Sequence, residues 1–400
     1  MSFLRKRLDS FKHHFEKGGK LEKYYYGFEA IDTFLFSPNT TTEVKGVQIK
    51  DAIDLKRLMM TVIIAMLPCL VFGIWNVGHQ HFLALGQAAS LSDKVLIGLK
   101  QVVPVIIVSY GVGLGIEFIF AIIRKHPVNE GFLVTGMLIP LVMPPDIPLW
   151  QVAIATAFAV IIGKEAFGGT GMNIMNVALT ARAFLYFAYP SQISGTVWTY
   201  LGHGAKTVSG YSGATPLAIA GEAVTSGVPV VKTLTEFGAG WNEGVYSFGN
   251  MFMGFMPGCV GETSTLMCLI GGFILVITGT GSWKIMLSVF GGAYAMGLFL
   301  NLLGGNAFMQ MPAEYHLVMG GLAFGAVFMA TDPVTAAQTE RGKWYYGALI
   351  GIFTVMIRVF NPAYPEGIML AILLMNVFAP LIDYFVISAN KNRRLKRATV

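Results

Sequence analysis

Charge is scarce in this sequence. Asp, Glu, Lys and Arg supply 12% of its 400 residues, about half the share of an ordinary soluble domain. Apolar residues supply 54%, and the mean hydropathy is +0.61. The deficit excludes a soluble enzyme with a conventional charged surface, because the uncharged residues fall in long runs. Cysteine is scarce too: Cys69, Cys259 and Cys268 form no CxxC pair and have no histidine cluster near them. Zinc or iron–sulfur ligation by this chain alone is therefore not expected, and the three read as small buried apolar residues. There is no GxGxxG following a strand, so no nicotinamide site is expected. A cleavable signal peptide is not evident either, since the first fifty or so residues are charged and aromatic. The net charge of +6 does not indicate nucleic acid, because the basic residues gather at the ends of apolar runs.

Apolar runs able to span the hydrocarbon of a bilayer need roughly 20 residues. Candidates lie near 56–77, 95–123, 131–144, 149–163 and 172–189, then near 262–280, 283–303, 315–331, 344–360 and 366–388. Pro144-Pro145 stops the third and Thr331-Asp332-Pro333 the eighth. Such interrupted runs read as broken helices, tolerated where protein buries them. Lys and Arg mark cytoplasmic loops. They crowd the N-terminal arm from Arg5 to Arg57, follow the even-numbered spans as Arg124-Lys125, Lys164, Lys284 and Arg341/Lys343, and fill the tail from Lys391 to Arg397. The other loops hold almost none. The pattern places both termini inside and the long 190–260 stretch outside. It divides the chain into an arm (1–55), a first membrane repeat (56–189), the outside loop (190–260), a second repeat (261–388) and a tail (389–400).

The halves resemble each other. Leu133-Val134-Thr135-Gly136-Met137-Leu138 parallels Leu317-Val318-Met319-Gly320-Gly321-Leu322. An acid beside proline follows each (Asp146, Asp332), then a tryptophan (Trp150, Trp344), then, fourteen residues on, a basic residue (Lys164, Arg358). Five spans per half is an odd number, so the second half must be inverted. The expected fold is an all-α integral membrane protein of about ten transmembrane helices in two inverted five-helix repeats with broken helices, an architecture that places sites near the repeat interface.

Charged groups within spans are costly and therefore informative. Glu117 sits in the second span with no Lys or Arg three or four residues away, Asp332 ends the eighth and Asp383 lies in the tenth. A carboxylate among oxygen-rich neighbours suits Na⁺ or a proton, and the alternative is an ion pair locking helices together. For Arg182, in the fifth span, the two readings weigh evenly. Two glycine-rich elements stand out. Phe167-Gly168-Gly169-Thr170-Gly171-Met172-Asn173-Ile174-Met175-Asn176 lies at the inner face, and its glycines admit a ligand to the backbone. Asn173 and Asn176 share a helix face, and an amide pair reads a flavin or nucleobase edge. A capped helix start is the plainer reading. The second element, Ser209-Gly210-Tyr211-Ser212-Gly213-Ala214-Thr215-Pro216-Leu217, presents a threonine hydroxyl among small residues outside the membrane. Glu262, Thr263 and Ser264 open the sixth span with a carboxylate, hydroxyls and free backbone N–H groups, a suitable place for phosphate.

Ser212-Gly213-Ala214-Thr215 matches an S/T-G-A-T flavinylation motif. With it come His13-His14-Phe15-Glu16-Lys17-Gly18-Gly19-Lys20, Asp54-Leu55-Lys56-Arg57, Arg124-Lys125-His126-Pro127-Val128-Asn129-Glu130-Gly131, Met329-Ala330-Thr331-Asp332-Pro333 and Asn361-Pro362-Ala363-Tyr364-Pro365-Glu366-Gly367. Over essentially its whole length the chain resembles the family of membrane flavin subunits found in the sodium-pumping NADH:quinone oxidoreductase and in the related Rnf complex. The long arm before Asp54 favours the sodium pump, since the Rnf counterpart lacks most of it. The resemblance implies FMN joined by its phosphate to Thr215, attached by an external flavin transferase. It implies noncovalent riboflavin at the glycine-rich element, with Gly169, Asn173 and Asn176. It also implies a sodium path through Glu117, Asp332 and Asp383, and reduction of ubiquinone at the inner side with help from the arm. The partners are then the other members of a six-subunit translocase in the bacterial inner membrane. Two positions depart from the family pattern: Ser209 stands where Asp is usual, and Val177 follows Asn176 where Pro is common. A solute channel or transporter on the same inverted repeat is the reading from another class, and the flavin motif separates it from the others.

Overall fold

A computed structural model of the chain describes residues 10–15, 19, 21–25, 28, 55–125, 131–202, 205–239, 241–361 and 366–398. Most of the N-terminal arm, including Asp54, lies outside the described residues, as do the 126–130 and 362–365 portions of two motifs quoted above. Long uncharged runs leave every backbone N–H and C=O to be satisfied within its own segment, and helices do that. The first half contains α1 (Leu55–Ala84), α2 (Leu91–Arg124), α3 (Phe132–Leu141), α4 (Leu149–Gly163) and α5 (Val177–Ala188). The 190–260 stretch contains α6 (Pro216–Ser226), α7 (Val230–Glu236) and α8 (Phe248–Met253). The second half contains α9 (Thr265–Ile277), α10 (Trp283–Leu303), α11 (Tyr315–Val318), α12 (Leu322–Phe324) running into a π turn (Gly325–Met329), α13 (Gly342–Phe360) and α14 (Ile368–Ala398).

Among the described residues six helices are long and apolar enough to cross a membrane, namely α1, α2, α4, α10, α13 and α14, while α3, α5 and α9 are shorter apolar helices. With the broken 315–329 segment these are the ten apolar elements expected, and the chain is an all-α integral membrane protein. Its outward residues on α1 and α2 include Val71, Leu96, Ile107 and Ile119, which suit lipid and not water. Small residues bring the helices together. A side chain at Gly78 or Gly98 would strike the backbone of the facing helix in the α1–α2 hairpin, and one at Gly292 or Gly351 would do so between α10 and α13. In both halves the second element packs on the fourth, α2 on α4 and α10 on α13, and the third is the broken one. This matches the sequence repeat.

Several boundaries differ from expectation, each for a local reason. The fifth span begins at Val177 and not near 172, because Gly168, Gly169 and Gly171 take φ of 121°, 97° and 89°, outside the helical region. Asn176 then caps α5, accepting from Leu179 N–H at 3.1 Å. That makes Val177 the first helical residue, a position where proline is common because no intrahelical N–H is needed there. The sixth span shortens to α9 because Ser264 caps it. The tail expected from 389 continues α14, since residues 390–398 contain neither Gly nor Pro and are rich in helix-forming Lys, Arg and Leu. The 190–260 stretch is folded. Leu217, Ile219, Leu234 and Tyr246 share a core with Ala293 and Leu300 of α10 and with Val318 and Met319 of the broken segment.

Candidate functional site

Helix α5 borders two cavities that hold the candidate polar residues. The first, ≈ 350 Å³, is lined by Thr215, Arg182, Trp198, Glu262, Thr263 and Glu366 among others. Its size is that of a small-molecule site, about 300–1,000 Å³. The Thr215–Pro216 pair sets one wall. Thr215 is the N-cap of α6, with its hydroxyl accepting from Ala218 N–H at 3.3 Å, and Pro216 takes the first helical position. The hydroxyl therefore stands at the helix N-terminus, half-buried, where backbone N–H groups favour an anion. Ser212, Gly213 and Ala214 shape the approach to Thr215 without lining the cavity. Ser212 Oγ accepts from Ala214 N–H at 3.3 Å, and Tyr246 donates its hydroxyl to the Ala214 carbonyl. A Cβ on Gly213 would come within 2.7 Å of the Thr196 carbonyl. Tyr211 donates to Thr199 Oγ1 at 2.8 Å, and burial pushes its phenol up, so the donor proton is retained. Ser209 lies in an exposed turn.

Residues before the sixth element and at the break of the eighth also line the cavity. Glu262 and Thr263 line it together with Thr215, whereas Ser264 caps α9, accepting from Met267 N–H at 3.3 Å. The eighth element breaks at Gly320, φ +64°, and a Cβ on Gly321 would lie 2.8 Å from the Glu262 carboxylate. The break exposes carbonyls, and Arg358 satisfies them: its guanidinium donates to the carbonyls of His316 (2.6 Å), Met319 (2.8 Å) and Glu366 (3.0 Å). Arg182 crosses from α5 to bind Glu262 at 2.7 Å and Glu366, with Cys259 Sγ at 3.3 Å. Arg182 thus locks elements together as a buried ion pair, and it also lines the cavity. Glu366, Trp198 and Tyr186 also line this cavity. The sequence singled out none of the three as site residues, although Glu366 belongs to a quoted motif.

The second cavity, ≈ 100 Å³, holds Asn173, Asn176, Lys164, Asp332 and Thr331. Asn176 uses both ends of its amide, capping α5 with the oxygen and donating to Asp332 Oδ2 at 3.3 Å. Asn173 donates to the Met175 carbonyl at 3.1 Å. Asp332 also accepts from Val334 N–H (3.0 Å) and Thr335 Oγ1 (3.2 Å), just past the π turn closed by Ala330 N–H on the Gly325 carbonyl. A π turn is a common local signature of a functional site. Asn376 of α14 buttresses the cavity; with its amide turned to satisfy both neighbours, it accepts from Asn176 N–H at 3.0 Å and donates to the Tyr346 hydroxyl at 2.7 Å. Gly169 does not line the cavity. Its N–H donates to the Lys164 carbonyl at 3.1 Å and closes the turn that carries that lysine.

Glu117 is paired with Lys164, both buried. The structure therefore joins Glu117 through Lys164 to the cavity of Asp332. It leaves Asp383 out: that carboxylate lines neither of these two cavities. It accepts from Gln338 N–H (2.7 Å), Thr339 N–H (2.9 Å) and Thr339 Oγ1 (2.5 Å), docking the loop before α13. In the same loop Glu340 binds Lys284 and Lys343, and these two ammonium groups hold its carboxyl down to about 2.

Residues 43–392 match the NQR2, RnfD, RnfE family. The chain is 47% identical to a protein of Ectopseudomonas mendocina, over 98% of this chain and 99% of that one. It is 45% identical to one of Chromohalobacter salexigens (98% and 96%) and 45% to one of Azotobacter vinelandii (98% and 99%). All three are named as the same subunit of Na(+)-translocating NADH-quinone reductase. With matches of this extent, the chain belongs to the NQR2, RnfD, RnfE family.

Proposed function

We propose that this chain is the NQR2-type membrane subunit of a sodium-translocating NADH:quinone reductase, carrying FMN as a phosphoester on Thr215. The observation that carries the reading is the placement of the Thr215 hydroxyl. It stands at a helix N-terminus on the wall of a ≈ 350 Å³ cavity that Arg182 also lines. The donor set fits the group. The positive end of α6 suits a phosphate, Arg182 lines the same space as a cation, and Trp198 and Tyr186 offer aromatic walls. FMN bound there supplies electron acceptance and donation. The chain's part is to hold it, to exclude water and to fix its charge environment. An external flavin transferase attaches it from the outer face, and the other members of a six-subunit complex deliver electrons from NADH and take them onward to ubiquinone. Glu117 and Asp332 belong to the path of the exported Na⁺, in a bacterial inner membrane with both termini cytoplasmic. Identity of 45–47% over nearly full length to proteins named for the sodium-translocating reductase favours this reading over an Rnf component. The test is direct: denature the purified chain in acid and image flavin fluorescence in the gel. A fluorescent band at this chain is expected, and a dark one overturns the reading in favour of a transporter.

Asn173 and Asn176 are proposed to hold noncovalent riboflavin at the inner cavity, which must widen to admit a ring of that size. Asn173→Leu with Asn176→Leu should lower extractable riboflavin by at least tenfold, since each lost amide leaves a polar ring edge unpaired at about 1–3 kcal/mol. Covalent FMN should be unchanged. Wild-type riboflavin content in the double variant would reduce this element to a capped helix start.

A further inference from the structure

We propose that Asn376 is a positioning residue for the second cavity: its amide fixes the backbone of Asn176, and with it the side chain that would hold riboflavin. The inference rests on the reading above, in which Asn173 and Asn176 bind that flavin. Asn376 itself does not line the cavity. It is the only polar residue between Ile368 and Ile382 of α14, and it is 1% exposed. An amide in such a place is costly unless its hydrogen bonds are made. Two neighbours that each allow a single role set its orientation. The Asn176 N–H only donates and the Ile372 carbonyl only accepts. Oδ1 therefore takes the Asn176 N–H at 3.0 Å, while Nδ2 donates to the Ile372 carbonyl at 3.2 Å and to the Tyr346 hydroxyl of α13 at 2.7 Å. One side chain thereby ties α13 and α14 to the residue at which α5 begins.

The bond to Asn176 N–H completes that residue. Its carbonyl accepts from Thr180, N–H at 3.0 Å and Oγ1 at 2.9 Å. Its Oδ1 caps α5 at Leu179 N–H, and its Nδ2 donates to Asp332. The N–H of a capping residue precedes the helix and has no acceptor within it, and Asn376 supplies one from another helix. Without Asn376 the buried N–H regains a partner only if the chain at Asn176 shifts. Such a shift takes the Asn176 amide off its cap and off Asp332. The same face of α14 also supports the segment that carries Asp332. Ile368, Ile372 and Asn376 are spaced four apart and share that face. Gly325, which opens the π turn leading to Asp332, packs on it: a Cβ there would lie 2.6 Å from Ile368 Cγ1 and 3.3 Å from Ile372 Cδ1. One helix face thus sets where both Asn176 and Asp332 stand.

The test is the ratio of extractable riboflavin to covalent FMN in the purified, assembled complex. A residue that only supports folding lowers the yield and the thermal midpoint but leaves this ratio at its wild-type value. Asn376→Leu should lower the ratio about fivefold or more, because the shift it forces at Asn176 costs the flavin a hydrogen-bonding partner. Asn376→Asp keeps the size of the side chain and an acceptor for Asn176 N–H, and should restore the ratio to at least about half of wild type. A wild-type ratio in Asn376→Leu, or an Asn376→Asp ratio as low as that of Asn376→Leu, overturns the proposal. The flavin reading still stands in that event if Asn173→Leu with Asn176→Leu loses riboflavin. If that double variant keeps its riboflavin, the flavin reading fails and the proposal falls with it. Should Asn376→Leu not assemble, Tyr346→Phe decides. It removes the hydroxyl that Nδ2 holds, and a fall of about twofold or more is expected, whereas a wild-type ratio overturns the proposal.

Discussion

Thr215→Ala is expected to abolish the flavin fluorescence of the denatured chain while leaving it inserted in the membrane. The substitution removes two things at once, the hydroxyl that would carry the phosphoester and the cap of α6. Losing such a cap costs about 1 kcal/mol, a minor fraction of a fold stabilised by many membrane helices. Attachment, by contrast, is all or none, because alanine has no oxygen to esterify. Thr215→Ser keeps both the oxygen and the cap and should remain fluorescent. Ser212→Ala is the internal control. Its hydroxyl already serves Ala214 N–H and lines no part of the cavity, so flavin should persist. The mass of the peptide containing residue 215 settles the matter independently of fluorescence, and an unchanged flavin-bearing mass in Thr215→Ala would sink the assignment.

The cavity wall around Thr215 was legible because its signals are local. A threonine before proline at a helix start, and a carboxylate followed by hydroxyls at the opening of a span, are written in consecutive residues. The glycine runs likewise announced departures from helix, though not that Gly168, Gly169 and Gly171 would all take positive φ and push the start of α5 to Val177. What stayed hidden depends on partners distant in the chain. Glu117 has no Lys or Arg three or four residues away on its own helix, yet Lys164 reaches it from 47 residues away. Arg182 meets Glu366 across 184 residues. The basic residues Lys164 and Arg358 stood out only as matching members of the repeat. Packing gives them different tasks, a carboxylate for one and the carbonyls of a broken helix for the other. Asp383 shows the converse. An acid in a hydrophobic span suggests ion handling, but three hydrogen bonds to residues 338–339 make it a dock for a loop, and only the fold brings that loop to it. The 190–260 stretch concealed the three helices described there because they are short, with too few turns to establish a period.

Arg182→Met should be the most damaging single substitution at the cavity of Thr215. Arg182 is 2% exposed and is the cation between Glu262, at 2.7 Å, and Glu366. Methionine matches much of its volume, so packing changes little and the effect is electrostatic. Removing one partner from a buried ion pair typically costs about 3–5 kcal/mol, since the remaining charge has neither water nor counter-ion. Here two carboxylates are left facing one cavity, and Arg358 offers little relief because its guanidinium is directed to the carbonyls of His316, Met319 and Glu366. Against a total stability of about 5–15 kcal/mol, such a loss should show as a marked fall in the thermal midpoint of the detergent-solubilised chain and in the yield of assembled complex. Arg182→Lys should fall between the two, because an ammonium lacks the planar fork that spans two carboxylates. The decisive comparison is Arg182→Met combined with Glu262→Gln and Glu366→Gln. Neutralising all three members removes the stranded charges, and such replacements of whole buried ion groups are often near neutral in stability. Recovery of the midpoint in this triple variant assigns the damage to unbalanced charge. An Arg182→Met midpoint equal to wild type would mean that Glu262 and Glu366 do not carry charge in the folded protein, and that Arg182 is held by packing alone.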